Sequence, residues 1–499
     1  MQAELVDVLI VGAGISGISA AYYLQRECPT RSFAILEGRA SIGGTWDLFR
    51  YPGVRSDSDM HTLGYSFRPW RDPQAIASGP AIMRYLHETA HEFGIDAMIR
   101  FEHRVVRASW SSAEARWLVD VERGPQRERI QMRCNFLFLC TGYYEYEQGY
   151  APRWAGMEDF RGQIIHPQHW PADLDYAGKR VVVIGSGATA ITLLPALTAQ
   201  AGHVVMLQRS PSYVVALPSE DALAARIRRK LPAGLANRII RWRSIALGMY
   251  FYQYTRRYPE KTRQMMLQGV QHYLGPHYDI ATHFSPRYNP WDQRLCVAPD
   301  GDFFEAIRSG AASVVTDQIE RFTETGIRLA SGAELPADLI VTATGLRMEL
   351  FGKIAIDLDG EPVEAHAHVV YRGAMLSNIP NLAFSIGYTN SSWTLRCELV
   401  SAYVCRVLNY MEQQGYTTCM PYRPGAAADD TPVIDLTSGY VQRALAVLPR
   451  QGATKPWKMY QNYVRDLFNL RWSRIADGTL QFGGAGHIRR QLHKGLAWE

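Results

Sequence analysis

The chain has few cysteines for its 499 residues: seven, at positions 28, 134, 140, 296, 397, 405 and 419. The number is odd, and no two stand in C-x-x-C spacing. That argues against a disulfide framework, a cysteine-built zinc site and a closely spaced redox pair, and it suits a reducing cytoplasm. No apolar run approaches the roughly 18 residues of a membrane-spanning helix. The first residues, MQAELVDVLIVGAG, lack the basic region of a signal peptide, and their apolar run goes straight into a glycine turn. Neither sign of charge dominates. Lys and Arg number 53 against 48 Asp and Glu, for a net charge of +5, so nucleic acid is not the expected partner. A mild positive balance suits an anionic small ligand, or weak attraction to an acidic membrane surface. There is no tandem repeat and no long low-complexity tract. Apolar residues make up 47% and charged residues 20%, as in soluble globular chains with two or three domains of this total length.

Against these absences stand two glycine-rich turns of one type. Residues 6–11 form a short, nearly continuous apolar run, the pattern of a buried parallel strand. Gly12, Gly14 and Gly17 follow in G-x-G-x-x-G spacing, with Ser16 inside the motif, and then a helix-like ISAAYYLQR. The first glycine permits a tight turn, the second lets backbone approach a pyrophosphate, and the third lets helix pack on strand. A second apolar run, residues 33–36, ends at Glu37, twenty residues after Gly17. That carboxylate is placed for ribose hydroxyls and would repel a 2′-phosphate, so this half suits FAD or NAD. The pattern returns at residues 181–184, followed by Gly185, Ser186, Gly187, Ala188 and Thr189, with Ala190 at the third glycine position. Here the next strand, residues 203–207, ends in Gln208, Arg209 and Ser210. Arg209 stands nineteen residues past Ala190, where an acid would hold a ribose. A guanidinium can bind a 2′-phosphate with two parallel hydrogen bonds, and Ser210 can add one. The alternative for Arg209 is a solvated surface side chain. Elsewhere, residues 80–100 read as an amphipathic helix, residues 105–123 as a hairpin, and residues 135–139 as a strand before Cys140-Thr141-Gly142. Residues 339–341 read as a strand before Ala343-Thr344-Gly345, and residues 380–387 as a returning strand before a helix that starts near Thr394.

Between the two turns lies FRGQIIHPQHWP, residues 160–171, which neither periodicity nor composition explains. It resembles the Baeyer–Villiger monooxygenase fingerprint F-x-G-x-x-x-H-x-x-x-W-P, through Phe160, Gly162, His166, Trp170 and Pro171. The stretch GGTWDLFRYPGVRSDSD, residues 43–59, is similar to a second pattern of that family, through Gly44, Trp46, Tyr51, Pro52, Gly53 and Asp57; Thr45 falls inside it. Cys140-Thr141-Gly142 and Ala343-Thr344-Gly345 resemble its A-T-G turns. The match is closest to the ethionamide-activating and long-chain-ketone branch of the type I enzymes, through GGTWDLFRYPG, IHPQHWP, VIGSGATA, MLQRSP and YNPWDQRLC.

The resemblance implies an α/β fold with two Rossmann-like domains, one for FAD and one for NADPH, and a helical insert in the NADPH domain. The expected boundaries are 1–145 and 346–499 for FAD, 150–216 and 289–345 for NADPH, and 217–288 for the insert. It implies an NADPH- and O2-consuming flavoprotein that turns ketones into esters or lactones through a C4a-peroxyflavin. The expected ketones are aliphatic, of medium to long chain, or aryl. Sulfides and thioamides would be S-oxygenated at the same site. Arg294 matches the family's arginine at the flavin edge, where negative charge develops in a dry site. Asp57 matches the aspartate that orients it, although a turn cap or surface acid is its ordinary alternative. Many relatives carry lysine before this arginine, contributing to 2′-phosphate binding; here Gln293 stands there. Trp393 and Leu395 are candidates for the substrate pocket, with a core role as the alternative for Trp393. A flavin-containing N- or S-oxygenase is the nearest competing reading; a pyridine-nucleotide disulfide reductase and an NADPH-sensing module are more remote. Residues 217–285 are rich in arginine and aromatics. They suit a domain-packing helical layer with solvated arginines better than a cationic face on the inner side of a membrane. A monomer or weak homo-oligomer is expected. The tail after Gly483 is glycine-rich and basic (HIRRQLHKG).

Overall fold

The computed structural model describes residues 3–424, 430–434 and 436–485; the basic tail at 487–495 lies outside them. Two sheets organise the chain. In the first, strand Glu4–Val11 runs parallel to Phe33–Leu36 on one side and to Glu128–Leu139 on the other. The last residues of Glu128–Leu139 also pair with Leu382–Phe384, while its first half pairs antiparallel with Arg116–Arg123, the second strand of the expected hairpin. Val8, Leu9 and Ile10 are fully buried, because helices or strands cover the central strand on both faces, and a continuous apolar run is what such a strand needs.

The second sheet is all parallel. Its order is Ala312–Thr316, His203–Gln208, Arg180–Ile184, Leu339–Thr342 and Gln163–Ile165. In both sheets the strand before the glycine turn is central, and the chain leaves it toward opposite sides. That is the switch point at which open α/β sheets bind ligands. The edge strand Gln163–Ile165 comes from the FRGQIIHPQHWP stretch.

Several boundaries differ from expectation. The amphipathic helix spans Gly79–Glu92, shorter than residues 80–100. Gly94, at φ 64°, reverses the chain, and the Ile95 N–H donates to the Ala90 carbonyl (2.7 Å) to close the helix end. The strand expected over 380–387 is only Leu382–Phe384.

The insert is helical: Ala222–Lys230, Ala233–Arg257 and Pro259–Leu274. Its arginines are not simply solvated. Arg241 pairs with Glu398 (2.6 Å) and donates to the Gly64 carbonyl (2.6 Å). Arg243 pairs with Asp221. Arg256 pairs with Asp292 (2.7 Å), two residues before Arg294. The insert thus grips both the first sheet's helices and the loop that carries Arg294. Among the described residues no helix is long and apolar enough to cross a membrane.

Candidate active site

One large cavity, about 1150 Å³, opens between the sheets and is lined by both glycine turns. It exceeds the roughly 300–1,000 Å³ of a single-ligand site, which suits two dinucleotides. Of the residues singled out from sequence, Gly12, Gly14, Ser16, Glu37, Gly44, Thr45, Trp46 and Asp57 line it from the first half. Gly185, Ser186, Gly187, Ala188, Thr189, Arg209, Ser210, Arg294, Thr344 and Gly345 line it from the second, and Trp393 from the returning chain.

The two turns are built alike. Gly12 has φ 103°, and a Cβ there would lie 2.6 Å from the Cys140 carbonyl. Gly185 has φ 135°, and a Cβ there would lie 2.3 Å from the Ala343 carbonyl. Each turn therefore passes directly under the T-G turn that closes its own half. The helices that follow, Ile15–Glu27 and Ala188–Leu197, have glycine N-caps and no side-chain cap. Their first N–H groups are left to face the cavity, as a pyrophosphate requires. Glu37 is buried; it accepts from the Ala13 N–H (2.8 Å) and the Arg39 N–H (2.9 Å). Burial pushes its pKa up, and the two backbone donors oppose this. An ionised carboxylate has about four acceptor sites, so ribose hydroxyls can still be served. Arg209 and Ser210 are exposed on the cavity wall. The donor set, the glycine cradles and the volume fit a flavin dinucleotide on the first turn and a nicotinamide dinucleotide on the second.

Arg294 sits where the halves meet. Its Nη2–H donates to the Tyr143 hydroxyl (3.1 Å), which lies 3.1 Å from the Tyr144 hydroxyl. The Tyr143 ring stacks on Trp393, with centroids 4.8 Å apart and planes at 28°. The Trp393 indole N–H donates to Ser16 Oγ (2.8 Å), inside the first glycine motif. Tyr143 above all, then Tyr440, Tyr144 and Asp57, hold the guanidinium charged against its burial. Asp57 faces the cavity, yet protein surrounds it closely. Burial pushes its carboxyl up to about 6, with Arg55 and then Arg294 pulling it back.

The two residues are not joined as expected. No ion pair within 4 Å links Asp57 to Arg294 among the described residues; Arg55 pairs with Asp302 instead. Asp57 acts on Arg294 through space, and the phenol of Tyr143 is what touches the guanidinium. Tyr143, Tyr144 and Tyr440 were not singled out from sequence. The doubled tyrosine directly after Cys140-Thr141-Gly142 was the available signal for the first two.

Leu395 does not line the cavity. It is buried against Ile245 and Tyr388, because it points from the helix Trp393–Gln414 toward the insert. The fingerprint residues also stay off the cavity wall. Phe160 is buried against Phe322 in the second sheet's core. Gly162 lies so close to Asp338 that a Cβ would stand 2.5 Å from that carbonyl. Trp170 packs edge-on against Tyr176. Pro171 follows it, beyond the single helical turn Pro167–His169. His166 Nε2–H donates to the Gly345 carbonyl (3.2 Å), and its Nδ1 accepts from the Gln168 N–H (3.2 Å). Burial lowers its pKa, so the neutral ring keeps one donor and one acceptor.

Residues 6–244 match the family model described as flavin-binding monooxygenase-like. The chain is 54% identical over 480 residues to the FAD-containing monooxygenase EthA of Mycobacterium tuberculosis, covering 96% of this chain and 98% of that one. It is 48% identical over 479 residues to the probable FAD-binding monooxygenase AlmA of Acinetobacter baylyi, covering 96% of each. Its fold matches that of an oxidized steroid monooxygenase bound to NADP, with a TM-score of 0.73 at 21% identity, over 96% of this chain and 100% of that one. With its motifs, its twin turns and these relatives, the chain belongs to the flavin-binding monooxygenases, in one family with EthA and AlmA.

Proposed function

We propose that this enzyme uses FAD and NADPH to insert one oxygen atom of O2 beside a ketone carbonyl, giving an ester or lactone. Its preferred ketones are aliphatic, of medium to long chain, and sulfides or thioamides are S-oxygenated in the same cavity. The observation that carries this reading is Arg294, which among the described residues has no carboxylate within 4 Å and sits where the two glycine-turn halves meet.

Residues 1–145 and 346–499 hold FAD. Residues 150–216 and 289–345 hold NADPH, with 217–288 as the insert between them. Gly12, Gly14, Ser16 and the uncapped helix behind them seat one pyrophosphate, and Glu37 takes the ribose. Gly185, Gly187 and Thr189 seat the other, and Arg209 with Ser210 takes the 2′-phosphate. A reduced flavin bound in the first half would supply the electrons that activate oxygen. Arg294 is placed to stabilise an anionic oxygen that develops on the substrate carbon, a task that calls for a fixed charge in a water-poor site. Trp393 and Tyr143 form a flat wall that excludes water beside it.

NADPH oxidation by the purified yellow protein, with and without a mid-chain 2-alkanone, tests the reading when product is followed by mass spectrometry. Substrate-dependent oxidation with ester formation supports it. Slow oxidation to hydrogen peroxide with no ester, but with sulfoxide from a thioether, replaces it with a heteroatom oxygenase. Exposed Leu235, Ile239 and Trp242 share one side of the long insert helix, beside exposed Arg238, and support a peripheral contact with anionic lipid. Flotation with anionic vesicles tests that contact; protein left at the bottom of the gradient removes it.

A further inference from the structure

We propose that Arg443 binds a phosphate of the nicotinamide dinucleotide, as a second cation alongside Arg209. The proposal rests on the reading of the second half as the NADPH site. It starts from where the cavity's positive charges are already engaged. Arg39 pairs with Asp47, Arg55 with Asp302, and Arg104 with Glu147. Lys353 pairs with Glu145 and Glu147. Arg294 is held by Tyr143. Among the described residues, that leaves Arg209 and Arg443 as lining arginines with neither a carboxylate within 4 Å nor a hydrogen-bond acceptor. Position 293, next to Arg294, also lines the cavity and is a neutral glutamine.

Arg443 is aimed rather than loose. It belongs to the short helix Gly439–Ala444, and its guanidinium carbon lies 3.5 Å from the centroid of the Tyr150 ring. Stacking fixes the plane of the guanidinium and leaves its edge N–H donors free, the arrangement that suits a phosphate. Tyr150 is itself bonded to the second closing turn. Its N–H donates to the Gly345 carbonyl (3.0 Å), and the Thr344 hydroxyl donates to the Tyr150 carbonyl (2.6 Å). Arg443 Nη2 would lie 3.9 Å from a Cβ at Gly345, on the turn that passes over Gly185. Gly439 leaves room for the head group, since a Cβ there would stand 3.2 Å from Nη1. Burial lowers the Arg443 pKa, and Arg347 adds repulsion against the favourable effect of Tyr150. An arriving anion relieves both penalties. The helix is also tied to the catalytic loop: the Thr437 N–H and hydroxyl both donate to the Asp292 carbonyl (2.9 and 3.0 Å). Phosphate capture by Arg443 thereby orders the chain two residues from Arg294.

The test is equilibrium binding of NADP+ and NAD+ to the FAD-loaded enzyme, read from the flavin absorbance change with no turnover. Arg443→Ala and Arg443→Gln are expected to weaken NADP+ binding about tenfold, equivalent to about 1.4 kcal/mol. They should also flatten its dependence on salt, while Arg443→Lys recovers part of the loss. A loss confined to NADP+ identifies the 2′-phosphate as the partner; an equal loss for NAD+ identifies the pyrophosphate. Either supports the proposal. Unchanged NADP+ affinity and salt dependence in both the alanine and glutamine variants, with normal flavin content, overturn it. Failure of the parent enzyme to bind NADP+ overturns the underlying reading instead, so the two failures are distinct.

Discussion

Asp57 should be a residue that lowers the stability of the enzyme. Its carboxyl is pushed up from the ordinary 3.8 to about 6 by burial, and only Arg55 and Arg294 offset that. A folded-state pKa above the unfolded one means that the ionised carboxylate is disfavoured in the folded protein. The penalty is absent below the unfolded value of 3.8, grows as pH rises to about 6, and is constant above it. The displacement corresponds to about 3 kcal/mol at roughly 1.4 kcal/mol per pH unit. Asp57 also faces the water of the cavity, which screens its charge, so about half of that, roughly 1.5 kcal/mol, is the working figure. Asp57→Asn keeps the shape and removes the charge. For 499 residues, with an unfolding entropy of roughly 2 cal/mol/K per residue, the expected rise in Tm at pH 8 is about 1.5 °C. The gain should shrink through pH 6 and vanish near pH 4. Thermal unfolding of parent and variant across that range measures it. A variant that is less stable than the parent at pH 8, or equally more stable at pH 4 and pH 8, would refute the reasoning. Oxygenation should fall in the same variant, because Asp57 is then no longer the anion beside Arg294.

Arg294→Ala should lower the rate of ester formation roughly 100- to 1,000-fold while NADPH oxidation continues. Peroxide and ester assayed together show whether the two activities separate, and ester at the parental rate would remove Arg294 from the chemistry. Arg209→Ala should cut the preference for NADPH over NADH about tenfold or more, for the loss of charge-assisted bonds of roughly 1.5–3 kcal/mol. The ratio of kcat/KM values for the two coenzymes checks it, and an unchanged ratio would leave Arg209 a surface side chain. Gly12→Ala should yield colourless or insoluble protein, since its Cβ would lie 2.6 Å from the Cys140 carbonyl at φ 103°. A yellow, stable variant would mean that the turn can move aside.

The parts of the fold that were legible in the sequence are those whose cause is local. An apolar run followed by G-x-G-x-x-G contains its own reasons, as strand, turn and helix, and both copies lie where the spacing places them. The helical insert was expected from the resemblance, and the segment is helical. Arg226, Arg229, Arg238 and Arg257 are exposed, but Arg241 is paired, and its partners Glu398 and the Gly64 carbonyl come from chain far away in sequence. Helix ends and short strands were the other misses. Leu382–Phe384 is a strand only because Glu128–Leu139 offers it a free edge. Tyr143 and Arg443 escaped for the same reason as the arginine partners. The first meets Arg294 across 151 residues of chain, and the second reaches the cavity through a helix more than 250 residues after the second glycine turn. The doubled tyrosine after Gly142 marks the first only by its position, and nothing in the neighbouring sequence marks the second.

The fingerprint FRGQIIHPQHWP serves the site without touching the cavity. Its central residues supply the edge strand Gln163–Ile165, paired in parallel with Leu339–Thr342. That pairing fixes the strand whose end is the Ala343-Thr344-Gly345 turn. His166, the next residue, then donates to the Gly345 carbonyl, and Gly149 leaves room for its ring, since a Cβ there would lie 2.0 Å from the imidazole. Phe160 and Trp170 anchor the two ends of the stretch in separate parts of the second core. The stretch therefore clamps one turn from both sides, the turn under which Gly185 passes and on which Tyr150 and Arg443 converge. A strand alone would hold that turn from one side only. The His166 bond, with its tautomer set by Gln168, holds it from the other. What a sequence pattern marks here is the support of a binding site, and the groups that would meet the ligand lie elsewhere on the chain.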